Sequence, residues 1–116
     1  MHNFKDLIVW RKARVLVKEI YSITVLLTDT EKFGLVSQMQ RAAVSIPSNI
    51  AEGCGRKTNT KMARFLDIAN GSSFELESLL ILCIDLKFVQ EVNCNVAFHL
   101  NTEIQRMIHA LKQNFN

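Results

Sequence analysis

A chain of 116 residues with 48% apolar side chains is long enough for one domain with its own core and too short for two of ordinary size. Its formal net charge of +3 is modest but unevenly placed: residues 1–64 carry eleven Lys/Arg against five Asp/Glu, net +6, and residues 65–116 carry three against six, net −3. No apolar run approaches the roughly 18 residues of a membrane span, no secretory h-region is visible, and three cysteines without a C-x-x-C pairing argue against a disulfide framework, so a cytoplasmic protein without membrane contact is expected.

The first predicted helix covers about residues 5–28. Leu7, Trp10, Ala13, Val17, Ile20, Thr24 and Leu27 share one face, and the polar cluster Thr28, Asp29, Thr30 ends it. Arg11, Lys12, Arg14 and Lys18 decorate this helix as a basic cluster.

The second predicted helix, about residues 31–52, holds the most informative stretch of the chain. Gln38, Arg41, Ser45, Asn49 and Glu52 recur at spacings of three and four, which lines hydrogen-bonding side chains along one stripe. Met39, Ala42, Ala43, Ile46 and Ile50 form an apolar stripe beside it. Pro47 removes the amide that would bond the Ala43 carbonyl, at a cost of about 3 kcal/mol in a helix interior, which predicts a local kink. Within the stripe, Arg41 is expected to meet a carboxylate and Asn49 to satisfy backbone groups freed near Pro47. Gly53 and Gly55 are read as stop signals.

The third predicted helix opens near Asn59 as N-cap and places Phe65, Ala69, Ser72, Leu76, Leu79, Cys83 and Leu86 on its face. The fourth starts near Asn93 or Asn95, with Val96, Leu100, Ile104, Met107, Leu111 and Phe115 inward. No segment alternates with period two. Residues 1–116 are therefore expected to form a single all-α domain, an up-down-up-down antiparallel four-helix bundle. The link 53–58 is expected to be the longest. Arg56, Lys57, Lys61 and Arg64 cluster there beside a helix N-terminus, which makes the junction a candidate phosphate site.

Catalytic and metal patterns fail on spacing. No Glu is followed three residues later by His, there is no H-E-x-x-H, and His2, His99 and His109 are scattered. Glu75 and Glu77 are two apart on a helix, about 200° around the axis, and cannot act together on one substrate; pairing with Arg41 or Arg64 is the expectation for them. No enzyme, no cofactor and no metal are expected.

Asp6, Leu7, Val9, Trp10 and Ala13, then Glu31, Gly34, Leu35 and Gln38, and above all Arg41 through Gly53, reading RAAVSIPSNIAEG, carry a resemblance. With Arg56, Phe65, Leu66, Ala69, Gly71, Ser72, Glu75 and Glu77 they resemble the small bacterial proteins encoded by intervening sequences inside large-subunit ribosomal RNA genes. The chain departs from that pattern at Leu27 and Thr28, where the family often has an aromatic-proline pair. The resemblance implies a four-helix bundle that assembles into a homopentamer. It also implies looser kinship to the accessory variability proteins of diversity-generating retroelements, which bind nucleic acid and a reverse transcriptase.

Two functions follow as expectations. In the first, the chain is a non-enzymatic oligomeric scaffold that binds RNA or DNA phosphates through Arg11, Lys12, Arg14, Lys18, Arg56, Lys57, Lys61 and Arg64. In the second, it is a protein-interaction or structural homo-oligomer with no nucleic-acid role, and the stripe of Gln38, Arg41, Ser45, Pro47, Asn49 and Glu52, with Gly53 and Glu75, fixes its register.

Overall fold

A computed structural model describes residues 3–27, 30 and 32–115. Four helices carry the architecture: α1 (Ile8–Thr24), α2 (Ser37–Cys54), α3 (Asn59–Asp85) and α4 (Asn95–Lys112). Single turns at Phe4–Asp6 and Glu91–Cys94 lead into α1 and α4. Each helix packs on its neighbours in chain order and α4 returns to α1, which leaves α1 and α3 on opposite corners of an up-down-up-down bundle measuring 43 × 24 × 20 Å.

The core follows the helical periodicity. α1 buries Val9, Ala13, Leu16, Ile20 and Ile23, α2 buries Met39, Ala43, Ile46 and Ile50, α3 buries Leu66, Ala69, Leu76 and Leu80, and α4 buries Ala97, Ile104 and Ile108. Two expected core positions are outside: Leu86 lies past the end of α3, and Val96, in the first turn of α4, is 58% exposed. Ser73, rather than Ser72, continues the buried face of α3. The three cysteines are buried thiols outside any disulfide, and burial pushes the Cys54 and Cys94 thiols up from their ordinary value.

The helix ends differ from the expectations in instructive ways. α1 stops at Thr24, whose hydroxyl donates to the Tyr21 carbonyl (2.9 Å) and accepts from Gln40 Nε2 (3.2 Å), tying α1 to α2. The polar cluster's Thr28 and Asp29, and the expected start of the second helix at Glu31, lie outside the described residues. Regular α2 begins only at Ser37, because the backbone leaves helical geometry at Gly34 (φ −100°, ψ −108°). Pro47 does not interrupt α2, which stays helical through it to Cys54.

Gly53 is not a stop signal. It is buried inside the last turn of α2, where a Cβ would stand 2.9 Å from Met62 Sδ and 3.1 Å from Phe65 Cβ. Its lack of a side chain lets α2 and α3 approach closely at their shared end. Thr58, one residue before the expected Asn59, is the N-cap of α3 and accepts from the Lys61 amide (3.2 Å). The link 55–58 is shorter than the link 86–94, so the basic junction is not the longest connection. In the link 86–94, Lys87 takes φ 63°, and the Phe88 amide bonds the Cys83 carbonyl (3.0 Å), closing α3 with a left-handed cap that carries no glycine.

Candidate nucleic-acid interface along the α2–α3 seam

The polar stripe of α2 faces α3 along one edge of the bundle. Ser45 Oγ and Ser72 Oγ are 2.7 Å apart, one hydroxyl donating to the other across the seam. Asn49 Nδ2 donates to Ser45 Oγ (2.9 Å) and to the Ser45 carbonyl (2.8 Å). Asn49 therefore differs from the expectation: it bonds Ser45, one turn before it, and not the Ala43 carbonyl that Pro47 leaves without its amide.

Arg41 does not meet a carboxylate. It is exposed, and none of the ion pairs among the described residues includes it. Arg41 and Glu75 line a cleft of about 310 Å³ with Gln38, Ala42, Ser45 and Ser72. Glu75, also exposed, has no ion pair among the described residues, whereas Glu77, on the α4 side, accepts from Gln105 Nε2 (3.0 Å). The two glutamates point apart as their spacing requires.

At the other end of the seam the basic junction is open to solvent. Arg56, Lys57, Lys61 and Arg64 are all exposed. Arg56 lies 3.5 Å from Glu52 and stacks over the Phe65 ring at 4.7 Å, so its guanidinium is oriented but not enclosed. Lys57, Lys61 and Arg64 make no ion pair among the described residues. The α3 N-terminus offers less than expected, because Thr58 already occupies the Lys61 amide.

The α1 cluster divides. Arg11, Arg14 and Lys18 recur at spacings of three and four on the outward face, with Arg11 Nε donating to the Lys5 carbonyl (2.8 Å) and Arg14 over the Trp10 ring (5.4 Å). Lys12 turns to α4 and pairs with Glu103 at 3.2 Å, half-buried, which removes it from the open basic surface. α1 and α3 occupy opposite corners, so the two basic clusters form two separate patches on the chain.

One polar pair has no counterpart among the sequence-based expectations. Ser73 Oγ donates to Asn101 Oδ1 (2.6 Å) and Asn101 Nδ2 donates to the Ser73 carbonyl (2.9 Å), both in the core between α3 and α4. The signal is present in the chain: Leu66, Ala69, Ser73, Leu76 and Leu80 keep helical spacing, as do Ala97, Asn101, Ile104 and Ile108. Among the described residues no group of three His, Cys, Asp or Glu could hold a metal ion. His2 lies outside the described residues, His99 stands 3.8 Å from Glu103 at the surface, and His109 is exposed. Among the described residues no helix is long and apolar enough to cross a membrane.

A family model described as 23S rRNA-intervening sequence protein matches residues 5–110. The chain belongs to this family. A solved structure agrees on the fold: the 1.70 Å crystal structure of a protein with unknown function from the S23 ribosomal protein family of Bacteroides thetaiotaomicron superposes with a TM-score of 0.83 at 22% identity, over 90% of this chain and 98% of that one. No curated protein matches the sequence. In this family member the stretch RAAVSIPSNIAEG runs along α2 and supplies both the polar stripe and the buried Gly53.

Proposed function

We propose that this family member is a non-enzymatic, oligomeric RNA-binding scaffold that holds phosphates on the α2–α3 junction. The observation that carries the reading is the exposed group Arg56, Lys57, Lys61 and Arg64, in which Lys57, Lys61 and Arg64 have no ion pair among the described residues. Unpaired cations within a few residues of one another attract a polyanion and release its counterions, whatever the sequence of the nucleic acid. Arg11, Arg14 and Lys18 supply a second patch of the same kind. Lys12 contributes little, because Glu103 already neutralises it.

Assembly suits such weak patches, since several copies bound to one strand raise avidity without any new contact. A homopentamer is the assembly proposed. The outer face of α3 supports self-association: Phe74 and Ile81, seven residues apart, are 55% and 45% exposed, and a Cβ built on Gly71 beside them meets open space. A second copy covering that face would bury the apolar pair and use the close approach that glycine permits. The same face favours the second reading, a structural homo-oligomer with no nucleic-acid role.

Charge reversal separates the two. In the triple variant Arg56→Glu, Lys57→Glu, Lys61→Glu, affinity for a fragment of large-subunit ribosomal RNA should fall at least tenfold at about 0.1 M salt, with helix content and oligomer mass unchanged. Unchanged affinity would remove the junction from the account. A wild-type protein that assembles yet binds no RNA, or that captures a reverse transcriptase without RNA, would favour the protein-interaction reading.

A further inference from the structure

The cleft at the far end of the seam differs in kind from the basic junction. It sets one guanidinium and one carboxylate on facing helices, over a floor of two hydroxyls, with neither charge paired among the described residues. A phosphate would meet Glu75 there and be repelled. What fits is a group with N–H donors at one edge for the carboxylate and acceptors at another for the arginine fork.

The seam also connects this cleft to the junction. On α2, Arg41, Ser45, Asn49 and Glu52 form one continuous stripe, which Arg56 in the following link extends through its ion pair with Glu52, and on α3, Lys61, Arg64, Ile68 and Glu75 keep the same helical register. Arg64 and Glu75 are eleven residues apart, about 16 Å along the axis. That span is within reach of two or three nucleotides of extended single strand, so phosphates at the junction and a base in the cleft can belong to the same strand.

Among the four bases, guanine alone presents two adjacent N–H donors, N1–H and the N2 amino group, together with two adjacent acceptors, O6 and N7. Arginine bonds O6 and N7 in bidentate fashion, and a carboxylate accepts from N1–H and N2–H. We propose that the cleft between Arg41 and Glu75 takes one unpaired guanine of a strand whose phosphates lie on Arg56, Lys57, Lys61 and Arg64, an inference that rests on the RNA-binding reading above. The cleft volume of about 310 Å³ sits at the lower end of the range for small-molecule sites, roughly 300–1,000 Å³, which suits a single base. Single-stranded RNA is read in this way, by bases splayed out of the stack and bonded on their edges. Ser45 and Ser72, 2.7 Å apart, join the two helices at the floor of the cleft, and Arg41 and Glu75 choose the base.

The test uses fluorescence anisotropy of the full chain with an octauridylate, the same oligomer carrying one central guanosine, and one carrying inosine, which lacks the N2 amino group. The guanosine oligomer should bind about tenfold more tightly than octauridylate, with the inosine oligomer, which keeps O6, N7 and N1–H, between them. Glu75→Gln, at an exposed position, should abolish the advantage of guanosine over inosine with helix content unchanged, because the amide cannot accept from N1–H and N2–H together. Arg64→Glu should weaken all three oligomers together. Equal affinity for all three oligomers with the wild-type protein would overturn the guanine site and leave phosphate binding standing. Failure to bind any oligomer, or the ribosomal RNA fragment, at low salt would overturn the RNA reading itself. A Glu75→Gln variant that changes oligomer mass and keeps the guanine preference would reassign the cleft to an interface between copies.

Discussion

Two pairs of helices in this bundle are joined by serine and asparagine, and the two joints behave differently. Between α3 and α4, Ser73 and Asn101 close on one another in the core, with Ser73 and Asn101 at 0% and 1% exposure. Between α2 and α3, Ser45, Ser72 and Asn49 form an open chain at a half-exposed seam, flanked by the charges of Arg41 and Glu75. The same side chains therefore do two jobs. Where water is excluded, polar atoms must satisfy each other and so fix which helix faces which; where water has access, the same atoms keep spare bonding capacity for a ligand.

The largest expected effects come from breaking the closed joint. Asn101→Ala leaves the Ser73 hydroxyl without its partner in the core and should cost about 1–3 kcal/mol in denaturant unfolding. Adding Ser73→Ala should restore part of that loss, because the orphaned hydroxyl goes with it. Gly53→Ala forces a Cβ against Met62 and Phe65 and should cost about 1–3 kcal/mol by crowding; Gly71→Ala meets open space within one copy and should stabilise its helix by about 0.5–1 kcal/mol while weakening the assembly proposed on that face. A destabilised Gly71→Ala, or one that dissociates the oligomer, would place a partner's backbone on that face.

Smaller changes sharpen the contrast. Lys87→Gly relieves a left-handed backbone conformation and should raise stability by about 1 kcal/mol. Ser45→Ala or Asn49→Ala at the open seam should cost only about 0.5 kcal/mol, since water replaces the missing partner; a cost as large as that of Asn101→Ala would show the seam to be closed in the assembled protein. Thiol labelling of the native protein should be slow at Cys54, Cys83 and Cys94 and rapid in denaturant, because all three are buried.

The helices themselves are legible in the sequence because apolar spacing is a direct record of burial, and the motif stripe is legible for the same reason. What the sequence conceals is partnership. Arg41 and Glu75 recur at positions that fit an ion pair, but whether two side chains on different helices meet depends on the offset between those helices, which periodicity does not encode. Lys12 resembles its neighbours Arg11 and Arg14 until α4 brings Glu103 beside it. Ser72 and Ser73 are the same residue type one position apart, and only packing decides which turns inward. Gly53 carries two possible meanings in sequence, helix stop or close approach, and the proximity of Met62 selects the second.

The most direct test of the central claim, that the α2–α3 junction is a phosphate-binding surface, is a salt titration of binding to a large-subunit ribosomal RNA fragment, with oligomer mass recorded in the same samples. The logarithm of the binding constant should fall linearly with the logarithm of salt, and reversing Arg56, Lys57 and Lys61 should flatten the slope by about 0.7–0.9 for each phosphate that is no longer neutralised. A slope that is identical in the wild type and the reversed variant, or the absence of binding at low salt, would contradict it.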